Sequence, residues 1–346
     1  MMIRHFLTTE DWSREELQSI LDQAAAFKRP GAAFNQRLKG RTIALVFFNP
    51  SLRTRTSFDV GIYQMGGHAV TLEPGKGSWP IEFEDGVTMA GETEEHVKEA
   101  ARVLSRFCDL IAVRAFPRFI DWSIDREDRV IRAFARYATA PVINMETIVH
   151  PCQELALMLA IEERLGRDFR GRKFVLTWTY HPRPLNTAVA NSALLIASKF
   201  GFDVTLLCPT PEYVLDERFM ASARNNAAEQ GGSITVSHDI ESAYRGADVV
   251  YAKSWGALPY FGRWEEEKPI RDAHRHFMVD EAKMALTGRE APGGGRVSGL
   301  FSHCLPMRRN IKATDAVADA PYSMIIDEAE NRLHVQKAIM DRLING

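Results

Sequence analysis

An α/β chain with two doubly wound parallel-sheet domains is the fold this sequence predicts, on three observations. Short apolar runs such as Ile43–Phe48, Leu110–Val113 and Lys173–Thr177 alternate with segments of helical apolar spacing. Strands joined through crossover helices read that way. The alternation runs once as far as His150 and starts afresh at Lys173, and 346 residues suffice for roughly two cores.

Taken in order, Ser13 to Glu16 is a capping box opening a helix with apolar positions at Leu17, Ile20, Leu21 and Ala24. Ile43–Phe48 reads as a buried strand and Phe58–Met65 as the helix after it. Ala69–Leu72 is a second strand. Glu94–Phe107 has helical spacing at Val97, Ala101, Leu104 and Phe107. Leu110–Val113 and Pro141–Asn144 are short buried strands separated by a helix over Val130–Tyr137. A helix over Cys152–Arg164 bridges the halves. The second half predicts a strand at Lys173–Thr177, a helix at Thr187–Phe200, a strand at Val204–Leu207 and a helix at Asp216–Gln230. Strands at Ile234–Val236 and Asp248–Tyr251 follow. Gly288–Gly299 reads as a glycine-rich surface loop, Leu300–Ser302 and Met324–Ile326 as strands, and Glu328–Leu343 as a long last helix. Ligands in open α/β sheets bind beyond the carboxyl ends of the strands, so the active site is expected in the cleft between the two domains.

Composition bounds the partners. With 45% apolar and 25% charged residues and a formal net charge of −2, nothing points to nucleic acid or a membrane surface. The start runs from Met1 through Phe6 straight into Glu10, Asp11 and Arg14, with no signal-peptide core, and no run approaches a membrane span. Cys108, Cys152, Cys208 and Cys304 lie far apart. That spacing argues against a metal cluster or disulfide framework and for a reducing cytoplasm.

The chemistry concentrates in the stretch Phe48-Asn49-Pro50-Ser51-Leu52-Arg53-Thr54-Arg55-Thr56-Ser57, where a strand hands over to a helix. A helix start offers unpaired N–H groups and a positive dipole end to an anion. Arg53 and Arg55 add forked donors, and Ser51, Thr54 and Thr56 add short neutral ones. The Lys-Ser/Thr ending of a nucleotide loop is missing, so the pattern suits a small phosphate rather than ATP. More polar groups follow strands: Arg114, then Glu146, His150 and Gln153, then Lys253, then His303-Cys304-Leu305-Pro306 with Arg308 and Arg309. Each alone could be a cap or a packing residue. Together they recur at one topological place in both halves.

Three of these elements, Ser51 to Thr56, His150-Pro151-Cys152-Gln153 and His303-Cys304-Leu305-Pro306, resemble in order the signatures of the aspartate/ornithine carbamoyltransferase family. The resemblance covers essentially the whole chain. It implies a carbamoyl-phosphate domain over residues 1–151, completed by the last helix (328–346), and an amine-substrate domain over 152–327. It also implies a homotrimer whose active sites are shared between neighbours. Ser51, Leu52, Arg53, Thr54 and Arg114 would hold the phosphate, with Trp79, Pro151, Cys152 and Cys304 alongside. His150 would bond the carbamoyl oxygen, while Gln153 and the Leu305 carbonyl would hold the carbamoyl NH2. The Leu305–Pro306 bond would be cis. Charge building on the carbonyl oxygen would meet donors from Thr54, Arg114 and His150. Carbamoyl transfer of this kind needs no cofactor, metal or covalent enzyme intermediate.

The chain departs from the ornithine and aspartate enzymes. After Asp248 it reads Val-Val-Tyr-Ala-Lys-Ser-Trp-Gly where the ornithine enzymes have Asp-x-x-x-Ser-Met-Gly, and Met307-Arg308-Arg309-Asn310 follows Pro306. Trp79-Pro-Ile-Glu-Phe83, Asn144-Met-Glu-Thr147, Lys253-Ser-Trp-Gly256 and Glu330 to Gln336 resemble the family's N-acetylornithine-using subgroup, which serves arginine biosynthesis. That resemblance implies that Trp79 reaches the neighbour's site, that Glu146, Lys253, Leu305 and Arg332 bind acetylornithine, and that Lys312 is carboxylated. Glu94 is the candidate for acyl discrimination, since a carboxylate would repel a succinyl group and tolerate acetyl. At the helix start where it is expected, plain charge complementarity would explain it equally.

N-succinylornithine and free ornithine stay open as amines, and a non-catalytic anion-binding protein on the same fold is the reading from another class. A nicotinamide dehydrogenase is excluded, because the only glycine cluster, Gly293–Gly295, does not open a helix.

Overall fold

Five buried residues in a row, Ile43 to Phe47, carry β1 (Thr42–Phe47) through the middle of a four-stranded sheet. The computed structural model describes residues 3–290 and 296–346, and the cluster Gly293–Gly295 lies outside the described residues. On either side of it, Arg289–Glu290 and Arg296–Val297 pair antiparallel, so the flanks of the expected loop form a short hairpin. Contacts group the chain into two units. The first holds the chain up to Arg118, Ser123–Leu155 and Glu330–Gly346. The second holds Phe119–Trp122 and Ala156–Ala329.

The first unit's sheet has the order β2 (His68–Leu72), β1, β3 (Leu110–Arg114), β4 (Val142–Glu146), all parallel. Between β3 and β4 the register slips after Val113, a bulge that sets Arg114 opposite Glu146. The second unit's sheet runs β9 (Leu300–Ser302), β8 (Val249–Lys253), β5 (Lys173–Trp178), β6 (Asp203–Leu207), β7 (Ser233–Ser237), again all parallel. Buried apolar runs on the central strands, such as Phe174 to Trp178, are what a sheet covered on both faces requires. The Ser13–Glu16 capping box is present at the start of the helix Arg14–Lys28.

Three expectations need correction, and one helix was missed. The helix after β1 spans Leu52–Gln64, not Phe58–Met65, because Ser51 caps it early by accepting from the Thr54 N–H at 3.2 Å. The next helix is Val97–Phe107 with His96 as its cap, so Glu94 does not sit in its first turn. Glu95–His96 instead pairs with Ile81–Glu82 as a two-residue parallel ladder. Met324–Ile326 is no strand. The Met324 N–H bonds the Phe301 carbonyl at 2.8 Å, and the last helix, Ile325–Asn345, begins at once. The helix Trp264–Ala273 was not anticipated. Its buried positions are Glu267 and Arg271, an ion pair, so no apolar stripe announces it.

Candidate active site

Within the first unit the phosphate-type stretch becomes the opening turn of a helix. Ser51 is the cap, and the Leu52 and Arg53 N–H groups belong to the turn that has no carbonyl partners of its own. Thr54 is buried in that turn, while Leu52 is 75% exposed. Arg55 turns aside to Glu73 at 2.9 Å.

The bulge at Arg114 builds the next part. The Arg114 guanidinium pairs with the Glu146 carboxylate, whose Oε2 is also 3.6 Å from His150 Nε2. All three come from the carboxyl ends of β3 and β4, where the sheet topology places a ligand. His150 caps the helix Pro151–Leu165 through its carbonyl, which accepts from the Gln153 N–H at 2.9 Å. Cys152 behind it is inert. Burial pushes its thiol up to about 12, and Sγ rests 3.7 Å from the Asn144 carbonyl.

Arg332 joins these pieces. Its Nη1 donates to Gln153 Oε1 at 2.6 Å and its Nη2 to Thr54 Oγ1 at 2.9 Å, all buried. Sequence reasoning assigned Arg332 to the amine substrate, and here it sits among the groups assigned to the phosphate substrate. The Thr54 hydroxyl accepts that bond and keeps its own proton to donate.

The second unit carries a basic cluster at the ends of β8 and β9. Lys253 closes β8, and His303-Cys304-Leu305-Pro306 leaves β9 with the Leu305–Pro306 bond cis. Lys312 is 2% exposed, and its amine is lowered to about 7, first by burial and then by the nearby Lys253 charge. Burial, with Lys312, Arg308 and Lys253 nearby, brings His181 down to about 4. His303 is held well below the usual imidazole range by burial and the same two lysines, and its Nδ1 pairs with the Cys304 carbonyl.

His181 and Arg308 are thus the residues sequence reasoning left without a role. His181 follows β5 by three residues and Lys253 ends β8, a strand-end signal that was available. Trp79 (67% exposed) and Glu94 present their side chains to solvent.

Sequence comparison settles the kinship. The family model for the carbamoyl-P binding domain of aspartate/ornithine carbamoyltransferase matches residues 4–163, and that for the Asp/Orn binding domain matches residues 178–343. The chain belongs to the aspartate/ornithine carbamoyltransferase family. It is 66% identical over 345 residues to the N-acetylornithine carbamoyltransferase of Xanthomonas campestris pv. campestris, covering 99% of this chain and 98% of that one. Identity to the N-succinylornithine carbamoyltransferase of Bacteroides thetaiotaomicron is 34%, over 96% of each. A crystal structure of acetylornithine transcarbamylase complexed with acetylcitrulline superposes with a TM-score of 0.95 at 66% identity, covering 99% of this chain and all of that one. A structure of a variant of the same enzyme type, one glutamate replaced by alanine, holds carbamyl phosphate and N-succinyl-L-norvaline. It matches at 0.94 and 66%, over 99% of this chain and 100% of that one.

For a carbamoyltransferase the two clusters make chemical sense. One supplies helix-start N–H groups, guanidiniums and an imidazole to an anion with a polarisable carbonyl. The other offers cations that suit a carboxylate-bearing substrate.

Proposed function

We propose that this carbamoyltransferase moves the carbamoyl group of carbamoyl phosphate to the side-chain amine of N-acetylornithine, giving N-acetylcitrulline and phosphate, as a step of arginine biosynthesis. The observation that carries the choice of amine is the basic cluster. The charges acting on Lys312 are those of Lys253, Arg308 and Cys304, and none is a carboxylate. A free α-ammonium placed beside Lys253 and Arg308 would be repelled by both, whereas an acylated amine leaves only its α-carboxylate to be paired with them. The full-length 66% identity to an N-acetylornithine enzyme supports the same choice.

The residues divide the work as follows. Ser51, Leu52, Arg53, Thr54 and Arg114 take the phosphate, with Trp79, Pro151, Cys152 and Cys304 lining that substrate. His150, with Thr54 and Arg114, steadies the carbonyl oxygen as the amine attacks and charge collects there. Gln153 and the Leu305 carbonyl hold the carbamoyl NH2. Arg332 orients Gln153 and Thr54, and so bears on both substrates. Lys253, with Arg308 and His181, takes the α-carboxylate, and Glu146 aligns the amine. The tetrahedral adduct collapses as the amine loses its proton and the C–O bond to phosphate breaks. Holding the two substrates in line supplies much of the rest. The reaction calls on no redox or nucleotide chemistry.

Lys312 carries a carboxyl group on Nζ in this reading. Carbamate formation needs a neutral amine, and an amine near 7 is neutral far more often than an ordinary lysine. The added negative charge would then sit beside Lys253 and Arg308. Glu94 selects the acyl group, and the glutamate variants of a relative that hold an N-succinyl ligand support a glutamate in that role.

A cytoplasmic homotrimer completes the reading. Leu52, Val60 and Tyr63 expose one apolar face on the helix Leu52–Gln64, and Val103 and Phe107 expose another on Val97–Phe107. Two unlike faces per copy are what a closed ring of identical chains joins. All four cysteines are free, which suits a reducing compartment, and no helix among the described residues is long and apolar enough to cross a membrane.

The test is to incubate the enzyme with carbonyl-13C carbamoyl phosphate and N-acetylornithine and follow the label by NMR. The label should appear in the ureido carbon of N-acetylcitrulline with one phosphate released per product. Phosphate release without a ureido signal would contradict the proposal.

A further inference from the structure

Directly under the Cys304–Leu305 element lies a buried carboxylate that the chemistry above does not use. Tyr251 and Ser302 are register partners across β8 and β9. The Tyr251 hydroxyl donates to Glu328 Oε1 at 3.0 Å, and the Ser302 hydroxyl donates to Glu328 Oε2. Tyr251 and Ser302 are fully buried and Glu328 is 1% exposed. One carboxylate therefore ties two neighbouring strands together at their last paired residues, Ser302 ending β9 and Tyr251 lying two residues before the end of β8.

What leaves the sheet there is the amine-binding machinery. Lys253 follows Tyr251 by two residues, so strand alternation puts the two side chains on one face. Cys304 and Leu305 follow Ser302 after His303. A slip of one strand end against the other would change the separation between the Lys253 ammonium and the Leu305 carbonyl. Misplacement by about 1 Å at a reacting pair costs on the order of 100-fold in rate.

We infer that Glu328 is a positioning residue for carbamoyl transfer, its carboxylate fixing the ends of β8 and β9 through Tyr251 and Ser302 so that Lys253 and Leu305 stay in register. The inference rests on the carbamoyltransferase reading given above. It does not depend on which acylated amine is used. An amide in place of this carboxylate keeps the size but offers one oxygen instead of two, so one hydroxyl must turn from donating to accepting and both bonds lose their charge assistance, which loosens the hold on the strand ends.

The experiment compares Glu328→Gln, Tyr251→Phe and Ser302→Ala with the wild-type enzyme, using whichever amine the wild type carbamoylates fastest. A wrong amine assignment then shows in the wild-type preference, and a wrong role for Glu328 shows in the variant ratios. Glu328→Gln should raise KM for the amine about fivefold or more and lower kcat about tenfold, at temperatures where it is folded. Tyr251→Phe and Ser302→Ala keep the carboxylate and should each shift KM in the same direction by a smaller factor. A purely structural role would lower the melting temperature and the active fraction while leaving KM alone. Unchanged KM in the folded variants overturns the inference. Should Glu328→Gln fail to fold, unchanged KM in the two milder variants overturns it equally.

Discussion

Arg332 Nη2 donates to Thr54 Oγ1 at 2.9 Å, a buried bond between residues 278 positions apart. With Gln153 Oε1 on its other nitrogen, this guanidinium sets both the hydroxyl at the helix start and the amide on the next helix. A planar fork does this with one side chain, and a lysine could serve only one of the two acceptors with comparable geometry.

Arg332→Lys is therefore expected to lower kcat/KM by about 100-fold, more than a conservative change would suggest. Arg332→Met should also cost about 1–3 kcal/mol of stability, because Thr54 and Gln153 lose a buried charged donor. Steady-state kinetics and chemical denaturation check the two effects separately.

His150→Asn should reduce kcat by about 100- to 1,000-fold while KM for carbamoyl phosphate moves far less. The imidazole is assigned to charge that develops on the carbonyl oxygen only as the amine attacks. An equal loss in KM would make His150 a ground-state binder instead.

Lys312 supplies a pH dependence whose sign is fixed. Its amine is near 7 in the folded protein and near the ordinary lysine value of 10.5 when unfolded. Between those values the unfolded chain binds more protons, so this group's contribution to stability rises with pH, and below about 7 its penalty is complete. Thermal midpoints should climb between pH 7 and pH 9 more steeply for the wild type than for Lys312→Met. With 13C-bicarbonate present, a carbamate resonance should grow over the same range and be missing from the variant.

Glu94→Ala is expected to admit N-succinylornithine, with kcat/KM rising about 10- to 100-fold as a like-charge repulsion is removed. Activity toward N-acetylornithine should change much less. If the succinylated amine remains excluded, the acyl pocket lies elsewhere.

Trp79 and Arg332 offer a test of site sharing. Trp79→Ala and Arg332→Met chains should each be weakly active alone. Mixed and reassociated, random assortment in a ring leaves about one site in four with both native side chains, so activity should recover toward a quarter of wild type. No recovery would mean that Trp79 serves its own chain.

The strands of the two parallel sheets and their order along the chain could be read directly, because buried parallel strands announce themselves as apolar runs such as Ile43–Phe47, although the apolar run Met324–Ile326 opens a helix instead. The helix at Leu52 was placed late, since Arg53, Thr54 and Arg55 look like loop chemistry and the cap at Ser51 is a geometric fact. Glu94 looked like a helix start because Glu is common there, and a two-residue parallel ladder at Glu95–His96 leaves no periodic signal. In the site, the motifs marked Thr54, His150, Gln153 and Leu305, while the bonds among them come from distant segments. Arg332 on Thr54 and Glu328 under Tyr251 and Ser302 are tertiary pairings, and no local pattern encodes them.

The central claim is the identity of the amine, and the most direct measurement is kcat/KM for N-acetylornithine, N-succinylornithine and ornithine in parallel with saturating carbamoyl phosphate. N-acetylornithine should lead the other two by at least about 100-fold, the scale on which one misplaced charge is rejected. Equal or faster turnover of free ornithine would contradict it, because the cations Lys253 and Arg308 would then be accepting an α-ammonium.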